Sequence, residues 1–445
     1  MIENLRRRML DEDLKRSRRV VLGGTGAGAA AILAAKGLRM TSAQGATPVA
    51  SPAPDVTELP APDMASPMAS PAATMQYAYV GSDARSQMVD GTPVADPVGI
   101  TVYSIDPETG ALSLIQTVPS DNAFYFAFDA DQTHLYAVNV IGDYNGGTNG
   151  SAEAYARDPA TGLLTLLNRV DSGGAVSAQP AVSPSGKWLL VANYSGANVT
   201  VLPINPDGSL GEVVGEAKRE GTGPDTARQD QSRPHAAVFD PAGNFVAVAD
   251  LGTDNVATYS LNDETGELTL VSEVEAEPGS GPRHLAFNAA GTILYVLTEM
   301  GDSIEVYAYD AATGAIGELL QSVSAVPEPF EGTKSGAEIA IHPSGSFLYN
   351  SNRGQPDMVT PEGDAIVGWS IDPDTGMLTL IGYTTDEIGQ PWSFAFDATG
   401  ANLYAANYTD SSITQFAIEP GTGALTYTGN RTDVPFPFVI AISAP

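Results

Sequence analysis

The residues able to do chemistry in this chain are few, because none of its 445 residues is cysteine. Thiolate nucleophiles, zinc ribbons, iron–sulfur clusters and disulfide frameworks are excluded, leaving carboxylates, histidine, arginine and hydroxyls. Two of the four histidines sit beside arginines, in Arg233-Pro234-His235 and in Gly281-Pro282-Arg283-His284. Arg228 precedes the first tract, Glu299 follows the second, and Asn352-Arg353 lies further on. An imidazole or carboxylate activates water, and guanidiniums hold a developing oxyanion or a bound carboxylate through paired hydrogen bonds. No pair of histidines at ligand spacing lies near carboxylates, so neither a metal nor another cofactor is expected. These groups are spread over more than a hundred positions. Only the fold can bring them together.

The fold is read from repeats. Asp106-Pro107-Glu108-Thr109-Gly110 recurs with variation at 158–162, 205–208, 262–266, 310–314, 372–376 and 419–423, giving seven turns. Each lies between two alternating runs, as in Ile100-Thr101-Val102-Tyr103-Ser104-Ile105 and Leu112-Ser113-Leu114-Ile115. This pattern marks a hairpin whose glycine takes positive φ. A second turn class interleaves with the first, for example Ser183-Pro184-Ser185-Gly186, Asp240-Pro241-Ala242-Gly243 and His342-Pro343-Ser344-Gly345, and occurs six times. Each unit therefore holds four strands, A to D, in a meander. Seven such units make an all-β, seven-bladed β-propeller of four-stranded antiparallel blades. The chain enters at Tyr77-Ala78-Tyr79-Val80 without an A strand and ends at 436–442 without a B strand. The C-terminal strand is thus expected to complete the first blade and remove the open edge.

A meander places the A-to-B and C-to-D turns on one side of the ring and the longer connections on the other. His134 and His342 fall in the tight turns, so they read as turn residues. His235 and His284 begin A strands and fall at the opposite mouth of the central channel. Alternation along a strand points Arg283, rather than His284, inward. The ends of B strands add Asn193, Glu299, Asn352, Arg353 and Asn407. Only 12 basic residues follow position 75, yet Arg228, Arg233, Arg283 and Arg353 all fall on this side. An anionic or carbonyl ligand accounts for that bias. The structural alternative is that these arginines form inter-blade ion pairs with Asp250, Glu299 and Glu338.

Several segments resemble the lactonase family of seven-bladed propellers, of the 6-phosphogluconolactonase and carboxymuconate cycloisomerase type. They are Val191-Ala192-Asn193-Tyr194-Ser195-Gly196, Arg228-Gln229, Pro234-His235, Gly281-Pro282-Arg283-His284-Leu285-Ala286-Phe287, Thr298-Glu299 and Ser351-Asn352-Arg353-Gly354. The resemblance implies a lactone-opening hydrolase with His235, Arg283, Glu299 and Arg353 as catalytic residues. Arg228, Asn193, Asn352, Trp392, Asn407 and His284 would line the substrate site. Two positions depart from the family pattern: Arg233 stands where a second histidine is common, and Trp392 where an arginine is common. The second change removes a phosphate anchor and offers an aromatic ring either to an unphosphorylated sugar or to packing inside the channel. Attack by water requires no covalent nucleophile, and His235 is the better base because two arginines should lower the pKa of Glu299.

Composition bounds the partners. With 53 acidic against 21 basic residues the net charge is −32, which rules against tracking a phosphate backbone. Residues 1–43 read as a twin-arginine export signal, with Ser17-Arg18-Arg19-Val20-Val21-Leu22 ahead of a Gly/Ala-rich stretch and small residues before a cut at Ala43. Residues 44–75 form a Pro/Ala/Ser-rich linker and 76–445 the propeller. The expected protein is an exported monomer, extracellular, periplasmic or wall-associated. It has no membrane attachment after signal cleavage, an uncleaved N-terminal anchor being the alternative, and its partner is a small lactone or sugar acid. A non-catalytic propeller that binds an anionic ligand, or one whose acidic rim meets a protein, fits the same residues.

Overall fold

In the computed structural model, residues 75–445 are described, apart from 90–91, 96, 331, 334 and 355–362. The export signal, and the linker apart from Met75, lie outside the described residues. Seven four-stranded antiparallel sheets follow one another around a ring, and a two-residue hairpin, Met88–Val89 with Thr92–Pro93, is the only other sheet among the described residues. Blade 1 takes its A strand, Pro437–Ile442, from the C-terminal end of the sequence and its B strand, Tyr77–Ser82, from near position 75. The A strands of blades 2 to 7 are Ala123–Phe128, Ser177–Val182, Pro234–Phe239, Pro282–Phe287, Gly336–Ile341 and Pro391–Phe396. Pairing of the first and last segments closes the ring as the turn count requires.

There is no single core. Apolar side chains pack in layers between neighbouring blades, such as Tyr79, Val102, Leu135 and Tyr155 between blades 1 and 2. An eighth cluster, Phe124, Tyr194, Leu251, Trp392, Tyr408 and Phe438, gathers residues of several blades at the channel mouth. Far from that mouth, a buried B-strand tyrosine of one blade donates its hydroxyl to the glycine carbonyl of the next blade's C-to-D turn. Tyr79 reaches Gly162 O at 2.8 Å, Tyr136 reaches Gly208 O at 3.1 Å, and Tyr295, Tyr349 and Tyr404 reach Gly376, Gly423 and Gly110 at 2.8, 2.7 and 2.8 Å. The turn glycine has two reasons to be glycine. At Gly162, φ is +73°, and a Cβ would stand 2.3 Å from the Tyr77 ring.

His134 and His342 belong to this tight-turn side. His134 Nδ1 meets Asp129 at 2.7 Å, and His342 Nε2 lies 2.7 Å from Gly400 O in the following blade. They are structural, as their turn positions imply.

The A strands carry the feature that builds the mouth. In every blade the ladder between strands A and B skips after the first A residue, as in Pro234 opposite Asp250 but Ala236 opposite Ala249. The bulge after Pro282 leaves Arg283 outside the ladder, and that after Pro391 leaves Trp392. Each bulge is pinned by a repeated hydrogen bond in which the residue after strand B donates its N–H to the carbonyl before strand A. Examples are Leu251 to Arg233, Glu299 to Gly281 and Arg353 to Ser335. Seven bulged residues thus ring the mouth: Phe124, Ala178, His235, Arg283, Ala337, Trp392 and Phe438.

The tyrosine clasp can be tested where it joins blade 7 to blade 1. Tyr404→Phe leaves the buried Gly110 carbonyl without its donor, and a loss of about 1–3 kcal/mol in unfolding free energy is expected by denaturant titration. An unchanged midpoint would show that the clasp contributes nothing to closure.

Candidate active site

Four residues from three blades meet at the mouth, joined by an arginine from the connection that leads into blade 4. Glu299, the residue after strand B of blade 5, is 6% exposed. Its Oε1 accepts from Arg228 Nη2 at 2.5 Å, and its Oε2 accepts from Arg283 Nε at 3.0 Å and lies 3.4 Å from Arg353 Nη2. Burial alone would raise the pKa of this carboxyl, but the charges of Arg228, Arg353 and Arg283 outweigh it and hold it well below the carboxylate range. Burial and the charge of Arg353 pull Arg283 down to about 10, so it remains a cation. The Arg228 side chain is 37% exposed and forms the solvent side of the cluster. Of the ion pairs expected from the sequence, those with Glu299 form and lie within the expected site, whereas Asp250 accepts from Ser232 and from the Arg233 N–H, and Glu338 pairs with His284.

His235 completes the group. Its ring lies 5.2 Å from that of His284 and 5.8 Å from that of Tyr194, centroid to centroid. Desolvation, reinforced by Arg283, keeps the imidazole neutral far below its ordinary range. Its Nδ1 is buried and has no hydrogen-bond partner in the protein. Arg353 Nε and Trp392 Nε1 are buried and unpartnered in the same way. Buried polar atoms are normally satisfied, so the cluster has unspent hydrogen-bonding capacity that a ligand or water can use.

Strict alternation allowed only one of Arg283 and His284 to turn inward, and the bulge removes that choice. Arg283 Nη1 lies 3.1 Å from His284 Nε2, so both side chains project to the same side. Beneath them runs a buried relay that sequence reasoning did not assemble. His284 Nδ1 meets Glu338 Oε1 of blade 6 at 2.9 Å, and Tyr125 of blade 2 donates its hydroxyl to Glu338 Oε2 at 2.5 Å across the channel. Burial keeps His284 neutral. Burial also drives Tyr125 far above its ordinary value, so it remains a donor. With Nδ1–H given to Glu338, Nε2 of His284 is left to accept from Arg283. The signal for Glu338 and Tyr125 was their place, one residue past the bulge, in the aligned A strands.

The asparagines belong elsewhere. Asn193, Asn352 and Asn407 are fully buried as the last residues of their B strands. Their amides tie down neighbouring segments: Asn193 binds Asn198 and Thr200 at 3.1 Å, Asn352 donates to Ala325 O, and Asn407 donates to Thr414 Oγ1 at 2.8 Å. The residue that faces the mouth is the next one, Tyr194, Arg353 or Tyr408, because one step along a strand changes the face. Trp392 is at the mouth, but the Arg353 guanidinium lies 4.2 Å from its ring centroid, while Phe124 and Phe438 meet it edge-on. That ring face is therefore covered by an arginine and not offered to a sugar. Arg233 lies beside the cluster, paired with Asp230 and 4.9 Å from the Tyr194 ring centroid. Among the described residues no three His, Asp or Glu side chains converge as a metal site requires.

The seven-bladed ring places the chain among the β-propellers, and comparison with known proteins narrows that class to one family. Residues 78–442 match the family model described as lactonase, 7-bladed beta-propeller. The chain belongs to that family. It is 33% identical over 343 residues to the 6-phosphogluconolactonase of Bacillus subtilis (strain 168), covering 77% of this chain and 93% of that protein. The 6-phosphogluconolactonase of Formosa agariphila is 29% identical over 331 residues, covering 74% and 90% of the two chains. Among solved structures, the periplasmic gluconolactonase of Pseudomonas aeruginosa superposes with a TM-score of 0.74 at 29% identity, covering 83% of this chain and 99% of that one.

The buried histidines make stability depend on acid. His235 and His284 are neutral in the folded protein and take up protons near their ordinary 6.5 once unfolded. The unfolded state then binds more protons, so this contribution is complete above that pH and is lost as pH falls below it. Glu299 and Glu338, held below their ordinary 4.5, add a loss of the same sign at lower pH. The denaturation midpoint should therefore be flat from about pH 7 to 8 and decline below about 6.5, and His235→Asn should weaken the upper part of that decline. A midpoint that rises on acidification contradicts this assignment.

Proposed function

We propose that this protein hydrolyses a sugar-acid or related lactone, unphosphorylated, at the channel mouth. The observation that carries the proposal is the neutral His235, with an unpartnered Nδ1, beside three guanidiniums gathered on one buried carboxylate. His235 is the base that takes a proton from the attacking water. Glu299 is too strongly stabilised as an anion to do so, and its role is to hold Arg228, Arg283 and Arg353 in place. Arg283 and Arg353 face the carbonyl oxygen as it becomes an oxyanion, and the protonated His235 returns its proton to the leaving alkoxide. The relatives named 6-phosphogluconolactonase and periplasmic gluconolactonase support a lactone as substrate. The lack of an arginine at Trp392 and the engagement of the other arginines by Glu299 favour an unphosphorylated one.

Hydrolysis of glucono-lactone and of its 6-phosphorylated form by the purified propeller tests this reading. The unphosphorylated lactone should be preferred. His235→Asn should lower kcat/KM by roughly 10²–10⁴-fold and Arg353→Gln by roughly 10²–10³-fold, each with an intact fold by circular dichroism. Full activity in both variants excludes this site. Tight binding of gluconate without turnover replaces the hydrolase with a binding propeller.

The same reading puts the reaction outside the cytoplasmic membrane. Ser17-Arg18-Arg19 and the periplasmic relative support export, and an unphosphorylated lactone suits that compartment. No helix among the described residues is long and apolar enough to cross a membrane. Replacing Arg18 and Arg19 by lysine should leave the protein in the cytoplasmic fraction, and undiminished export of that variant would refute the twin-arginine route.

A further inference from the structure

Blades 2 and 5 share a buried element that only blade 2 completes. In blade 2, Glu153 is the third residue of strand C, Ser151–Arg157, and is fully buried. Its Oε2 accepts from Tyr155 at 2.6 Å, and its Oε1 pairs with Arg169, which stands opposite it on strand D. In blade 5, Glu305 is the third residue of strand C, Ser303–Asp310, and is 2% exposed. Its Oε2 accepts from Tyr307 at 2.5 Å, repeating the tyrosine contact. Opposite it on strand D, however, stands Ser322, and no cation among the described residues pairs with Glu305. Its remaining contact is a 3.2 Å hydrogen bond from the N–H of Glu277.

The space that the arginine occupies in blade 2 is open in blade 5. A pocket of about 510 Å³ lies between the outer strands of blades 4 and 5, lined by Glu275, Glu277, Glu305, Tyr307, Ser322 and the apolar Val274. A second pocket of about 330 Å³ shares Glu277 and Ser322 with it and adds Ser280, whose buried hydroxyl has no hydrogen-bond partner. Neither lining contains Lys, Arg or His. A buried carboxylate without a counter-charge is costly, and desolvation accordingly raises the Glu305 carboxyl.

We propose that this pocket binds an alkylguanidinium group, whose planar cation takes the place on Glu305 that Arg169 takes on Glu153 while its aliphatic stem lies against Val274. This inference does not depend on the chemistry at the mouth, which is formed by other residues. Two sources carry the group, a free small molecule and an arginine side chain of another protein.

Calorimetric titration of the propeller with agmatine tests the proposal, with 1,4-diaminobutane as the ammonium control. Saturable binding of agmatine is expected, weakened about tenfold or more by Glu305→Gln, since a hydrogen bond to a charged partner is lost. Ser322→Arg should abolish binding and raise the melting temperature, because it rebuilds the blade 2 pair within the protein. An arginine-containing tripeptide amide separates the sources: binding equal to that of agmatine points to a protein side chain, and weaker binding to a small molecule. Absence of saturable agmatine binding, equal affinity for the diamine, or unchanged binding by the Ser322→Arg variant overturns it.

Discussion

Most of the charged and ionisable side chains at the channel mouth are buried, so their charges are balanced largely within the protein. This constraint explains more of the site than any single contact. A carboxylate as buried as Glu299 is tolerated only when its attraction to nearby cations and its hydrogen bonds exceed the cost of desolvation. Three arginines meet that condition, and in doing so they become fixed in position. His235 and His284 answer the same constraint by staying neutral. Groups held in this way need little rearrangement when charge develops on a substrate, which is the condition for electrostatic catalysis.

The ring supplies positions and the sequence differentiates them. Each blade offers one bulged residue and one residue after strand B to the mouth, pinned by the same backbone hydrogen bond. Blades 4 to 6 fill these places with His235, Arg283, Glu299 and Arg353. Blades 7, 1 and 2 fill theirs largely with Trp392, Tyr408, Phe438 and Phe124, which pack on one another. One half of the mouth is therefore polar and the other aromatic, joined where Arg353 lies over Trp392. Closure makes this division possible, since Phe438 reaches Phe124 and Trp392 only through the strand that completes blade 1.

The blades were legible because their turns are chemically specific: a Thr-Gly turn needs positive φ, and its spacing repeats. The meeting of His235, Arg283, Glu299 and Arg353 followed from topology, since strand starts and strand ends on one side share a mouth. What could not be read was geometry finer than a strand. Alternation assigned Arg283 and His284 to opposite faces, and a bulge put them on the same side. A one-residue difference separated Asn193, Asn352 and Asn407, which clamp loops, from Tyr194, Arg353 and Tyr408, which face the mouth. Bulges depend on backbone hydrogen bonds that carry no residue signature, although the prolines at 234, 282, 391 and 437 mark where four of them begin.

Charge balance connects the architecture to the proposed reaction. The groups in mutual contact at the centre of the mouth are three guanidiniums, the carboxylates of Glu299 and Glu338, and two neutral imidazoles. Counted over these groups alone, the sum is a single positive charge. A neutral lactone enters without altering that balance, and the tetrahedral oxyanion formed by water attack then neutralises it. The attraction is thus stronger in the transition state than in the bound substrate, as catalysis requires. A phosphate dianion would neutralise the same charge on binding and leave less to act on the reacting carbonyl. Under the proposed reaction the positive excess is matched to a charge created during water attack, which is the feature that separates that proposal from recognition of an anion already formed.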